Sequence, residues 1–316
     1  MTQFRTEVTP NPPTQKLSYK DDILLVGSCF SENIGSKFAY FGFNSMTNPF
    51  GVVFNPISIA NILYRIVANK TFEESDFHFD QGRWFCFETH GDLAALTKEE
   101  CLAKHNEALS KASKFLKKTS CLIITFGSAW IYEHIDSGNI VANCHKVPNK
   151  KFTKRLLSKE EVVESFRELI KNFELSAFNF PLLFTLSPVR HLKDGVVENQ
   201  RSKSVLHLAI QQLVEDFESV SYFPAYEIMM DDLRDYRFYN RDMLHPNQQA
   251  VDYIWERFKE SSIDNSCFKL MARVDKVRNG LAHWPFNENS DEYKNFKKKL
   301  AAEIEAIKVE LPSIQL

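Results

Sequence analysis

A continuous apolar run that ends in glycine-serine and passes directly into a helical pattern is the strongest constraint in this chain. Ile23-Leu24-Leu25-Val26 has no polar residue on either side of a pleat, so as a strand it needs apolar cover on both faces. The run stops at Gly27-Ser28, and Ile34, Phe38 and Phe41 then recur at helical spacing. The same unit returns downstream. Cys121 to Phe126 ends in Gly127, and Pro181 to Leu186 ends in Ser187-Pro188. Weaker strand signals lie over 43–47 and from Tyr226 to Met230.

Helical segments separate these runs. Pro56 opens one with Ile59, Ile62, Leu63 and Ile66 on its apolar face. Thr97-x-x-Glu100 and Ser158-x-x-Glu161 have the form of capping boxes. Val205, Leu206, Ala209, Leu213 and Phe217 mark another helix, as do Val251, Ile254, Trp255 and Phe258. Strands alternating with helices argue an α/β chain with a parallel sheet covered on both faces.

With 316 residues, 44% hydrophobic and 25% charged, the chain is long enough for one sizeable core plus an extension. The expected division is an extended arm over 1–20, where Pro10, Pro12 and Pro13 forbid a helix, an α/β domain over 21–260, and a C-terminal helical extension over 261–316. In that extension 290–309 reads as an amphipathic helix with Phe296, Leu300, Ile304 and Ile307 inward. Residues 129–157 read as a functional loop or insertion.

The net charge of −2 gives no electrostatic reason for a nucleic-acid or membrane partner. Neither a secretory leader nor a run long enough to span a bilayer is visible, so the expected location is cytoplasmic. Cys29, Cys86, Cys101, Cys121, Cys144 and Cys267 form no CxxC pair, which suggests free thiols and no zinc site. No metal or cofactor is implied, and the oligomeric state is not set by the sequence.

In open parallel sheets the ligand site lies beyond the carboxyl ends of the strands. That selects Gly27-Ser28, Asn48 to Gly51, Gly127-Ser128, Ser187 to His191, and Asp242 to His245. A serine hydroxyl becomes a nucleophile when a neutral imidazole takes its proton and a carboxylate orients that imidazole. Asp242-Met243-Leu244-His245 supplies both groups three residues apart, with Pro246-Asn247 leading into a helix. The ordinary alternative is a surface Asp and a histidine at a helix entry. Cys29 is a second possible nucleophile, one step further into the turn.

The string Asp242-Met-Leu-His245-Pro246-Asn247-Gln-Gln-Ala250 resembles the last motif of SGNH hydrolases, also called GDSL lipases, and Gly27-Ser28 resembles their first. More closely, Gly27-Ser28-Cys29-Phe30-Ser31-Glu32-Asn33-Ile34-Gly35 is similar to the signature of the bacterial GSCFA-domain family. Asn48-Pro-Phe-Gly51, Asn143-Cys-His145-Lys146, Ser187-Pro-Val-Arg190-His191 and Asp235-Tyr-Arg-Phe-Tyr239 are similar to that family in the same order. The resemblance covers roughly residues 5–285.

It implies a flavodoxin-like three-layer α/β/α sandwich with five parallel strands, the SGNH hydrolase fold. It also implies a serine esterase acting on a small carboxylic ester, such as an O-acetylated carbohydrate, through an acyl-Ser28 intermediate. An O-acyltransferase with the same site and a non-catalytic binding module that kept the fold are the alternatives. Ser28, Asp242 and His245 are then catalytic, with the Ser28 hydroxyl near hydrogen-bond reach of His245. The oxyanion hole is expected from the Ser28 and Gly51 N–H groups and an asparagine amide. The family's G-x-N-D reads Gly127-Ser128-Ala129-Trp130 here, and Ala129 has no donor side chain. Asn143 is the candidate replacement, and His145, Arg190 and His191 are candidate substrate contacts.

Overall fold

In the computed structural model, which describes residues 6–312 and 314–316, the chain opens with β1 (Asp22–Gly27), α1 (Cys29–Phe41), β2 (Asn44–Thr47) and α2 (Pro56–Ala68). A hairpin of β3 (His78–Asp80) and β4 (Arg83–Phe85) precedes α3 (Lys98–Leu116). Then come β5 (Cys121–Phe126), β6 (Trp130–His134), β7 (Ile140–Val141), β8 (Phe152–Leu156), α4 (Lys159–Leu175), β9 (Leu182–Leu186) and α5 (Val196–Asp216). Last are β10 (Val220–Phe223), the single turn α6 (Ala225–Glu227), α7 (Gln248–Ser262), α8 (Phe268–Leu281) and α9 (Asp291–Glu310).

Five strands pair in parallel in the order β10-β9-β5-β1-β2. β5 and β9 are buried along their whole length, and β1 from Ile23 onward, as the unbroken apolar runs require. Alternate residues feed two cores. Leu24, Val26, Leu122, Ile124, Leu182 and Phe184 pack with Ile59, Leu63, Leu109, Phe166 and Leu206 from α2 to α5. Ile23, Leu25, Cys121, Ile123 and Leu183 pack with Phe30 and Phe38 of α1, Ile254 and Trp255 of α7, and Val274 of α8. The result is the expected α/β/α layering, with the strand order reversing between β1 and β5, where such sheets bind ligands.

Two local features differ from the sequence reading. The fifth strand is Val220–Phe223, not Tyr226 to Met230, which is helical and runs into a π turn over Ile228–Asp232. Ala225, Ile228, Met229 and Leu233 are the buried apolar residues there. Their i, i+3, i+4 spacing is helical, and a window of five residues hides it. Within 129–157, β6, β7 and β8 form a small antiparallel sheet in the order β7-β6-β8.

The termini are tied to the α1–α7 side. Leu17 donates its N–H to Ser262 O (2.8 Å) and accepts from Asp264 N (2.8 Å). Residues 1–5 of the arm expected over 1–20, and residue 313 of the extension, lie outside the described residues. α8 and α9 pack together, and Ile307, Leu311 and Ile314 join the core against α1. Among the described residues no helix is long and apolar enough to cross a membrane.

Gly27 fixes where β1 hands over to α1. Its φ of +147° disfavours a side chain, and a methyl group there would stand 2.3 Å from the Thr125 carbonyl oxygen in β5. Gly27→Ala is therefore expected to destabilise the fold by about 3 kcal/mol or more in urea titration. A loss below about 1 kcal/mol would mean that β1 and β5 separate more easily than this packing indicates.

Candidate active site

Ser28 is the N-cap of α1, and its Oγ accepts a hydrogen bond from Phe30 N (3.3 Å). A serine is favoured there because it satisfies a free helical N–H, and the helix end contributes a positive field. The residue is only 1% exposed. The loop after β2 crosses the same strand ends. Asn48 N donates to Leu25 O (2.9 Å), Val53 N to Gly27 O (3.2 Å), and Gly127 N to Phe54 O (2.8 Å).

Asp242 and His245 occupy a surface turn closed by Met243 N to Asn240 O (2.9 Å) and Asn240 N to His245 O (2.7 Å). Met243 takes φ +59° to make the turn. Asp242 Oδ2 lies 2.7 Å from His245 Nδ1, while Oδ1 accepts from Leu244 N (2.8 Å) and His245 N (3.0 Å). Those two backbone donors, and then the imidazole, hold the carboxyl down at about 2. The carboxylate thus holds the Nδ1 side of the ring, and among the described residues His245 Nε2 has no hydrogen-bond partner. Behind the turn, Asn247 caps α7 by accepting from Ala250 N (3.0 Å) and donates to Arg237 O (2.7 Å).

The turn docks on the segment that leaves β9. Arg190 N donates to Leu244 O (3.0 Å), and Arg190 Nη1 to Met243 O (3.0 Å). Next along the chain, His191 stacks on Phe54 (ring centroids 5.4 Å apart). Its Nε2 is buried without a partner among the described residues. Gly127 leaves room for that ring: a methyl there would be 3.2 Å from His191 Nε2 and 2.8 Å from Phe54 Cβ. Burial, with the charges of Lys203 and His245, pushes the His191 imidazole down to about 3. Ser28 and His245 thus both serve the carboxyl side of the sheet, but they are not hydrogen-bonded to each other. The Asp242–His245 pair is at the surface, and Ser28 is buried.

The expected oxyanion donors are differently placed. Ser28 N donates to Thr125 O (3.1 Å) and Gly51 N to Asn48 O (2.8 Å). Gly51, at φ +73°, is required by the turn, since a methyl would meet His90 Cβ at 2.4 Å. Asn143 Oδ1 accepts from His145 N (2.8 Å). His145 Nε2 donates to Cys86 O (2.8 Å) and Thr89 O (3.1 Å), and the ring stacks on Phe85 at 4.4 Å. Burial pushes that imidazole down to about 4, so at neutral pH it is an uncharged fastener of the insertion. Asn48 offers what Ala129 lacks. Its Oδ1 accepts from Gly27 N (2.9 Å), and its buried Nδ2 has no partner among the described residues.

Lys203, which the sequence reading passed over, lies under this site. It is 1% exposed, and its ammonium donates to Gly127 O (2.8 Å) and Ser187 O (2.7 Å). On the same face of α5, Ser202 Oγ accepts from Ala129 N (2.8 Å), and Asn199 Oδ1 from His191 N (2.8 Å). A signal was present: Lys203 falls in register with Leu206, Ile210 and Leu213 on the buried stripe of α5. Cys29, the alternative nucleophile, has a thiol that burial pushes up, the wrong direction for a thiolate at neutral pH.

A family model described as "GSCFA family" matches residues 22–258, and one described as "GSCFA domain protein, C-terminal domain" matches residues 274–316. The chain belongs to the GSCFA family. No curated protein matches it.

Burial pushes the Lys203 ammonium down to about 7, whereas an unfolded lysine titrates near 10.4. Between those values the unfolded chain holds a proton that the folded one has released, so this group's contribution to stability rises with pH. In urea titrations at about pH 6.5 and about pH 9.5, the wild type is expected to gain about 1–3 kcal/mol relative to Lys203→Met. Parallel behaviour of the two proteins would mean that Lys203 keeps its proton throughout.

Proposed function

We propose that this protein is a serine esterase of the SGNH/GDSL type that hydrolyses a small carboxylic ester through an acyl-Ser28 intermediate. The observation that carries the reading is the Asp242–His245 pair. One carboxylate oxygen is fixed by two backbone N–H groups, the other lies 2.7 Å from Nδ1, and Nε2 is free. That is the arrangement an imidazole needs to act as a general base and then as a general acid.

In the proposed reaction His245 takes the Ser28 proton as Oγ attacks the ester carbonyl. The acyl C–O bond then breaks, and His245 returns the proton to the leaving alcohol. Water, deprotonated by His245 in turn, releases the carboxylic acid and restores Ser28. The oxyanion that forms twice is stabilised by the α1 N-terminus and, in place of the amide absent at Ala129, by Asn48 Nδ2. Because Ser28 is covered and His245 is exposed, the ester reaches the hydroxyl only when the residues over it move aside. Asn143, with its side-chain oxygen held by His145 N, serves the insertion loop in this reading.

Labelling with a fluorophosphonate probe tests the nucleophile. The intact protein is expected to be labelled, and Ser28→Ala or His245→Ala to abolish both labelling and turnover of aryl acetates. A folded wild type that neither labels nor turns over ester would favour a binding module. Labelling with acyl transfer to an added alcohol in preference to water would favour the acyltransferase.

A second comparison tests the oxyanion donor. Asn48→Ala is expected to lower kcat by about 10²–10³ with a smaller change in KM, and Asn143→Ala by less than about tenfold. The opposite ranking would assign the donor to Asn143.

A further inference from the structure

Beside the Asp242–His245 turn lies a hollow of about 230 Å³ lined by Arg190, Met229, Leu233, Arg234, Tyr236 and Tyr239 among others. Apolar and aromatic side chains make up much of its wall, the charged residues Arg190, Arg234 and Asp235 also line it, and Tyr236 is 67% exposed. The charges around it are unequally matched. Arg234 is paired with Asp231, and Arg237 with Asp235 (2.9 Å). Arg190 has no carboxylate within ion-pair distance among the described residues. One of its guanidinium nitrogens donates to Met243 O, and the group lies over Tyr239 and Tyr236 at 5.3 and 5.8 Å from the ring centroids. A half-exposed guanidinium on an aromatic floor, with donors left over, is suited to a planar anion.

The position of the hollow says which half of an ester would enter it. Arg190 both lines the hollow and grips Met243 and Leu244, the two residues before His245. In ester hydrolysis the group beside the histidine is the leaving alcohol, because its oxygen receives the proton. We propose that this hollow is the leaving-group subsite, and that it takes an alcohol bearing an apolar or aromatic face and a carboxylate, with the carboxylate on Arg190. The substrate class is then an O-acylated hydroxy acid. This rests on the esterase reading above for the identity of the bound half, but the recognition of the carboxylate by Arg190 is a binding property in its own right.

The test compares two probes with the same leaving oxygen: a phenyl acetate carrying a para-propanoate arm, and the primary amide of that compound. Wild type is expected to show about tenfold higher kcat/KM for the carboxylate. In Arg190→Gln that ratio should fall to within about twofold of one, and Arg190→Lys should keep part of it. Because the ratio is read within one protein, any general loss from a loosened turn cancels. In parallel, the phenol product with its propanoate arm is titrated into Ser28→Ala and into the Ser28→Ala, Arg190→Gln double variant. Binding weakened about tenfold in the double variant supports the subsite. A wild-type ratio near one, a ratio unmoved by Arg190→Gln, or product binding that is absent or indifferent to Arg190 overturns it. Should Ser28 neither label nor turn over either ester, the esterase reading fails alone, and the titration still decides whether Arg190 binds the carboxylate.

Discussion

The site is held together by a buried lysine. Lys203 reaches from α5 to the carbonyls of Gly127 and Ser187, which follow β5 and β9. Those carbonyls have run past the end of the ladder and would otherwise be unpaired in a place with little water. The neutral amine, with two N–H bonds, can donate to both, and the cation, with three, binds them more strongly. The arrangement costs desolvation of a charge, and the lowered titration of Lys203 is the expression of that cost. What it secures is the spacing of two loops that carry Gly127 and Arg190-His191, and through Arg190 the turn that carries Asp242 and His245.

The two halves of the proposed machinery reach that spacing by opposite means. Ser28 is placed by the sheet itself. β1 is buried, Gly27 strongly disfavours any side chain, and the N-cap geometry fixes the hydroxyl at the start of α1. His245 sits on a turn that the sheet does not contain, and is held by hydrogen bonds from Asp242, Asn240 and the segment after β9. Ser28 is therefore rigid and covered, and His245 is peripheral and exposed. Motion that admits a substrate falls on the side with fewer buried contacts, the turn and the loops around it. Arg190 binds that turn through both its backbone and its side chain, so a ligand on its guanidinium would bear directly on where His245 stands.

Much of this was legible in the sequence because it depends on local pattern. The buried strands announced themselves as unbroken apolar runs, Ser28 by its place at a strand-to-helix junction, and Asp242 and His245 by spacing before a capped helix. The fifth strand was misplaced because Tyr226 to Met230 is apolar enough for a strand, while its helical period shows only when Ala225 and Leu233 are included. The small sheet within 129–157 has strands as short as two residues, below the length at which alternation can be read. Lys203 escaped for a different reason. Its register on α5 was visible, but two backbone carbonyls can be seen to need a cation only once β5 and β9 lie side by side. Asn48 lies among the strand-end positions that the sequence selects, but that its Oδ1 accepts from Gly27 N shows only in the fold; the capacity proposed for it lies in the other end of the same amide.

That second capacity follows from the energetics of unpaired polar groups. A buried donor without a partner costs about 1–3 kcal/mol, and most buried polar groups in native structures are hydrogen-bonded. Among the described residues Asn48 Nδ2 is in that condition, and His191 Nε2, a donor or an acceptor according to tautomer, is likewise buried without a partner; both belong to loops at the strand ends. Asn143, by contrast, closes a turn within its own loop through its oxygen, next to a histidine that fastens the insertion. If the amide of Asn48 were there only to support Gly27, an aspartate would accept the same hydrogen bond without leaving a donor unmet. An asparagine keeps an N–H available without adding negative charge where an oxyanion would form. A group that gains its missing partner only in the transition state stabilises that state and not the resting protein, which is the property catalysis requires.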